Sequence, residues 1–478
     1  MSYGVNTTSG VTVNLALGTA SGFTSIAGIE RVTGGSGDDD LTGDGLANLL
    51  NGGGGNDLLN GGPGNDTLIG GAGSDTVSYA GEAGVNVNLL TGTSSVGDQL
   101  QTIENVTGSD GNDTLSGSAG ANMLVGGLGV DSLTGGGGND TLEGGAGNDI
   151  LVGGAGADEL SGDEGDDTIR YTLGADGNDV SVDGGVGNDT LSILGTAGSN
   201  TLTVTFDGNA ITSVVGIGSF TGVEVVTADL LGGNTDMLSY AGSSADVTVD
   251  LALDQASGFG SIANIERVTG GDGNDRLIAD ATDGINNLLV GGAGDDTYVI
   301  GAAETIVESA DSGTDTVESS VTATLSVNVE NLLLTGTGNI NGTGNLLANE
   351  ITGNSGNNAL NGGNGEDTLT GGAGNDTMNG GANNDTFMFD TGFGADVING
   401  FDANATDGQD LLDISAYGFD SNLVTIGSAA GSDVLITVGQ FVNGGALDTR
   451  ITIGTDTITL SGVTGAGVNS ITANDFIL

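Results

Sequence analysis

The chain has 478 residues, of which 96 are glycine and 1 is proline, and 63 Asp and Glu face 5 Lys and Arg for a net charge of −58. So acidic a surface repels phosphate backbones and anionic headgroups, which argues against nucleic acid and membrane insertion and favours divalent cations. The chain has neither Cys nor His, which excludes disulfides, zinc–thiolate sites and Ser-His or Cys-His nucleophiles.

In chain order, residues 1–33 form a linker module with the half-buried strand pattern Val11-Thr12-Val13-Asn14-Leu15. Residues 34–78 are five unbroken nonapeptides, among them GGGGNDLLN and GGPGNDTLI. A diverged linker follows at 79–107. The segment 108–192 holds seven more nonapeptides, from Gly108 to Arg170, and a lone unit, GGVGNDTLS, at Gly184–Ser192. Residues 193–269 form a β linker region with strands expected at Thr201–Phe206 and Ile211–Val225, and with the recurrence Val247-Thr248-Val249-Asp250-Leu251. A short ladder at 270–299 contains GGDGNDRLI and GGAGDDTYV; a further linker module spans 300–343; five nonapeptides fill 344–388. Residues 389–478 read as a cap ending in the tail Ile471-Thr472-Ala473-Asn474-Asp475-Phe476-Ile477-Leu478, acidic and then apolar.

The period of nine has a physical reading. Glycines at positions 1, 2 and 4 allow positive φ and close backbone approach, so six residues can make a turn. The last three residues form a short strand whose central side chain, at position 8, points inward. Two nonapeptides make one coil, and successive coils stack Leu41, Leu50, Leu59, Leu68 and Val77 into a thin core between two parallel sheets. This pattern resembles the RTX (repeats-in-toxin) calcium-binding repeat, GGxGxDxUx with U a large apolar residue. The resemblance implies an all-β fold of parallel β-roll (β-helix or solenoid) ladders joined by β-strand linker modules.

Position 6 supplies the expected metal ligands: Asp39, Asp57, Asp66, Asp75, Asp113, Asp131, Asp140, Asp149, Asp158, Asp167, Asp189, Asp275, Asp296, Asp367, Asp376 and Asp385. Stacking places such carboxylates about 4.8 Å apart, where they repel one another unless a dication bridges them. An all-oxygen, flexible cage suits Ca2+ better than Mg2+, and the ladders predict about ten to fifteen ions. Asn48, Asn122, Asn349 and Asn358 take the same position without the charge, so weak or absent sites are expected there. The recurring Asn-Asp-Thr sequon reads as a by-product of the repeat, and the outward Thr column as ordinary strand preference.

No catalytic residue is assigned. Met1-Ser2-Tyr3 reads as part of a linker module, and the first residues lack the basic and then apolar pattern expected of a secretory leader. The C-terminal tail resembles a type I secretion signal, so export to the extracellular space or cell surface is expected. Repeat ladders without an effector domain suggest a calcium-folded structural protein that polymerises head-to-tail into a surface layer, sheath or matrix filament. Calcium-dependent adhesion to cell-surface polysaccharide is the alternative, and a polysaccharide-active enzyme is a weaker third.

Overall fold

The computed structural model describes residues 1–4, 7–233, 235–310, 312–403, 409–417, 425–426, 435–443, 446–463 and 475–477. Among them the regular structure is β throughout, apart from one 3-10 turn at Ser415–Tyr417. Two compact units emerge: residues 1–205, 209–236 and 258–265 make the first, and 206–208, 237–257 and 266–478 the second.

The first unit is built from two facing sheets that the chain enters alternately. Strands Asp40–Thr42, Leu58–Asn60 and Thr76–Ser78 pair in parallel in one sheet, and Arg31–Thr33, Leu49–Gly54 and Thr67–Ala72 in the other. The register equals two repeats, so Leu50 lies over Leu68 and Leu142 over Leu160. The position-8 column is sealed: Leu41, Leu50, Leu59, Leu68 and Val77 are 0% exposed. An array this narrow stacks one apolar side chain per coil, most often leucine.

Many strands run longer than the three residues expected. Leu49–Gly54 and Thr67–Ala72 continue into the turn, with Gly53 paired to Gly71 and Gly54 to Ala72. The turns themselves therefore stack in register, and the backbone donors of one bond to carbonyls of its neighbours. The glycines divide the work differently from expectation. Gly53 and Gly55, at positions 2 and 4, have φ of +110° and +102°. Gly52, at position 1, lacks positive φ; there a Cβ would strike the Asp57 carboxylate.

The segment at 79–107 runs in the same sheets as the ladders it joins. Asn105–Thr107 sits in parallel between Thr76–Ser78 and Met123–Leu128. In the facing sheet a three-strand meander, Asn86–Asn88, Thr93–Ser94 and Gln99–Gln101, bridges Thr67–Ala72 to Thr114–Ser116. Val87, Leu100 and Val106 join the core column. Both expected strand regions of 193–269 are present, as Thr201–Phe206, Ile211–Val214, Phe220–Thr221 and Val225–Asp229.

The second unit repeats the design. One sheet carries Arg276–Ile278, Thr297–Ile300, Thr316–Ser319, Asn331–Leu334, Glu350–Thr352, Thr368–Thr370, Thr386–Met388 and Leu411–Asp413 in parallel. The cap replaces coils by an antiparallel meander, Leu435–Asn443, Ala446–Ile453 and Asp456–Ser461, which continues a parallel sheet through Ala395–Asn399. Of the tail expected to be an export signal, residues 471–474 and 478 lie outside the described residues; Phe476–Ile477 pairs with Leu411–Asp413.

Candidate metal centres

Every position-6 aspartate named above is buried, at 2% exposure or less. Each stands at the end of a glycine turn, one residue before the strand, so stacking of strands stacks the carboxylates. The geometry is a chain of backbone-to-carboxylate bonds. Asp39 N–H donates to Asp57 Oδ1 at 2.8 Å, and Asp57 N–H to Asp75 Oδ1 at 2.8 Å. The same link runs from Asp113 to Asp131, Asp149, Asp167 and Asp189, and from Asp140 to Asp158. In the second unit it joins Asp275 to Asp296 and Asp367 to Asp385.

The second oxygen is left over. Oδ2 of Asp57, Asp66, Asp75, Asp131, Asp140, Asp149, Asp158, Asp167, Asp189, Asp296, Asp367, Asp376 and Asp385 is buried with no hydrogen-bond partner. A buried carboxylate oxygen without a donor is costly, so each of these calls for a proton or a cation. Burial, aided by like-charged neighbours in the adjoining coils, pushes Asp57, Asp131 and Asp167 up to about 6 and Asp385 to about 7. Asp296 is driven highest, to about 8, by burial together with Asp275, Glu308 and Asp315. The position-1 glycines Gly126, Gly135 and Gly144 face Oδ2 of Asp131, Asp140 and Asp149, and a Cβ at any of them would fill the cradle. Aligned carboxylate oxygens backed by turn carbonyls are the hard donor set that calcium takes.

Three expected ligands differ. Asp39, Asp113 and Asp275 each follow a linker strand, and both their oxygens are bonded. Oδ1 accepts from Val11, Val85 and Val247 N–H, and Oδ2 from Gly35, Ser109 and Gly271 N–H. These aspartates close a ladder with backbone donors.

The asparagines replace the cation internally. Asn122 Oδ1 accepts Ser118 N–H, while its Nδ2 donates to the Glu104 carbonyl one coil back at 2.6 Å. Asn349 and Asn358 do the same toward Glu330 and Ile340. The amide oxygen thus lies where aspartate's unmatched Oδ2 would, facing the position-1 glycine, and takes a backbone N–H there, while Nδ2 occupies the place of Oδ1 and donates to the preceding coil. Position 5 also has a role that the sequon reading overlooked. Asn56 N–H donates to Asp38 Oδ1 and Ser74 N–H to Asn56 Oδ1, as do Val130 to Asn112 and Ala157 to Asn139. This outer ladder runs in the opposite direction to the inner one.

Several acids in the ladder positions lie outside the nonapeptide phase. Asp98, Asp179, Asp315, Asp396 and Asp410 receive the N–H of Asp66, Asp158, Asp296, Asp376 and Asp385. Glu104, Glu224 and Glu330 receive those of Asp75, Asp189 and Asp315. Coils of unequal length hid them. Most keep one local signal, an acid two residues before a buried apolar side chain, as in Asp98-Gln99-Leu100 and Glu104-Asn105-Val106.

The family model of the RTX calcium-binding nonapeptide repeat (4 copies) matches residues 42–77, 102–133, 134–169, 143–180 and 352–387. Among solved structures the chain is similar to the extracellular lipase LipA from Serratia marcescens at 20% identity, covering 73% of this chain and 40% of the lipase, with a TM-score of 0.17. No curated protein matches the chain. The matched segments contain the Asp57, Asp131, Asp149 and Asp376 turns, and repeats of this family bind calcium, several copies taking several ions.

Proposed function

This chain carries RTX calcium-binding nonapeptide repeats, and on that premise we propose that it is a secreted structural protein, folded by calcium outside the cell and assembled into an extracellular polymer. The supporting observation is the line of buried, unpartnered Oδ2 atoms, which makes the rolls dependent on cations for charge balance. Cytosolic calcium is too scarce to saturate such sites, whereas extracellular modules work near millimolar concentrations. The position-6 aspartates with a free Oδ2 are the proposed ligands, joined by Asp315 and Asp396. The segments between ladders act as modules of one scaffold. Catalysis is not part of the reading, because the regular carboxylates are committed to cations.

Self-association has support on the surface. The hairpin tips of the three related modules each hold a leucine in solvent: Leu17 is 75% exposed, Leu90 72% and Leu253 64%. Light scattering and negative-stain microscopy of the full chain, titrated from chelator to about 10 mM calcium, test the proposal. Ordered fibres or sheets that dissolve in chelator are expected. A calcium-folded chain that stays monomeric would overturn the polymer. An adhesin reading has one observation in its favour, a cleft of about 510 Å³ in the first unit lined by Tyr171, Asp176, Asn178 and Asn200. Saturable binding of a surface polysaccharide by a persistent monomer would favour it.

A further inference from the structure

One turn of the second unit departs from the repeat in composition and in length. Gly291–Asp296 is an ordinary six-residue turn, whereas Glu308–Asp315, stacked on it, has eight residues. Val290 pairs with Val307, so Glu308 takes the place that the repeat gives to a position-1 glycine. Neither turn falls within a segment matched by the family model.

The Glu308 side chain fills the space that the missing glycine would have left open. Its Oε2 accepts from Ser309 N–H at 3.1 Å and from Ser312 Oγ at 3.0 Å. Its Oε1 is buried with no partner, as are Asp296 Oδ2 and Asp315 Oδ2. The three residues are 6%, 1% and 0% exposed, and each offers an oxygen within 4.8 Å of the other two. The remaining oxygens of the two aspartates are engaged by Asp275 and Asp296 N–H. Tyr298 stands at position 8, where most coils carry an aliphatic residue, and its hydroxyl accepts Gly291 N–H at 2.7 Å beside the same space. Three convergent carboxylate oxygens, each lacking a donor, call for a hard cation at their centre.

We propose that Asp296, Glu308 and Asp315 form a three-carboxylate cation site distinct from the repeat sites, filled by calcium ahead of the ladders and more tightly by a trivalent lanthanide. A ladder turn contributes one free carboxylate oxygen of its own, backed by neutral carbonyls. Here a third carboxylate comes from outside position 6, and more ligand charge raises affinity for the more highly charged ion. The inference shares Asp296 and Asp315 with the calcium reading above; Glu308 is carried by geometry alone.

Terbium titration of the calcium-free full chain, with tyrosine excitation, tests it. The expected result is an early phase of sensitised emission, filled at concentrations at least about tenfold below the remainder, as one additional ligand charge would give. Tyr298→Phe should keep that phase in competition with calcium while removing most of its emission. Glu308→Gln should weaken the phase by about tenfold or more. Glu308→Gly, which restores the repeat's own residue, should weaken it likewise, with circular dichroism in millimolar calcium showing that it folds. An unchanged early phase in both Glu308 variants beside intact ladder binding overturns the site and leaves the calcium reading standing. Absence of calcium and terbium binding throughout would overturn both.

Discussion

At the scale of the residue, one atom separates a coil that needs a cation from one that does not. Asp140 and Asn122 occupy equivalent positions, and the N–H of Asn122 is received by Asp140 Oδ1. Aspartate leaves Oδ2 unmatched, whereas asparagine turns an N–H onto the preceding coil's carbonyl. Asp149→Asn should therefore keep the fold and lower bound calcium by about one ion per chain. The reverse change, Asn122→Asp, removes the internal donor and should add about one ion. Calorimetric titration counts both. Unaltered stoichiometry in the pair would mean that these oxygens are not ligands.

At the scale of the element, stability comes from the aliphatic column and from the stacked turns. Leu142 is 0% exposed, and Leu142→Ala should cost about 2–5 kcal/mol of the calcium-loaded state. Gly147 has φ of +139°, and a Cβ there would run into the Gly129 carbonyl. Gly147→Ala should cost at least about 1–3 kcal/mol, by overpacking and a disfavoured φ together. Thermal melts in saturating calcium measure both, and a melting point unmoved by Gly147→Ala would contradict the tight stacking. These positions were legible in the sequence, because a phase of nine fixes each glycine and each Leu. Asp98 and Glu104 were not. The meander between Thr67–Ala72 and Thr114–Ser116 stretches the spacing from Asp66 to Asp98 to 32 residues, so the eye that counts nines passes over them. Nor does a sequence say that Asn56 bonds the neighbouring coil's backbone, since that bond exists only once coils are stacked.

At the scale of the whole molecule, the ladders couple folding to two different ions. Burial, with like charges in the adjoining coils, pushes the carboxyls of Asp57, Asp131, Asp167 and Asp385 up to about 6 to 7, well above the about 3.9 of an unfolded aspartate. A raised folded value means protons are taken up on folding. Proton-linked stability is then complete below about pH 4 and is lost as pH rises through the folded values. In chelator the strand signal should persist near pH 4 and vanish between about pH 6 and 8, while saturating calcium should hold it at pH 8. Circular dichroism across this range decides the matter, and a flat profile in chelator would sink the coupling. The two-repeat register carries a mechanical consequence as well. A coil of 18 residues advances the roll by a single strand spacing, about 4.8 Å, yet its chain drawn straight reaches about 60 Å. If the proposed polymer bears tension, each coil is a reserve of length, released when its ions leave and wound in again when they return, and calcium would then set the force at which it begins to lengthen.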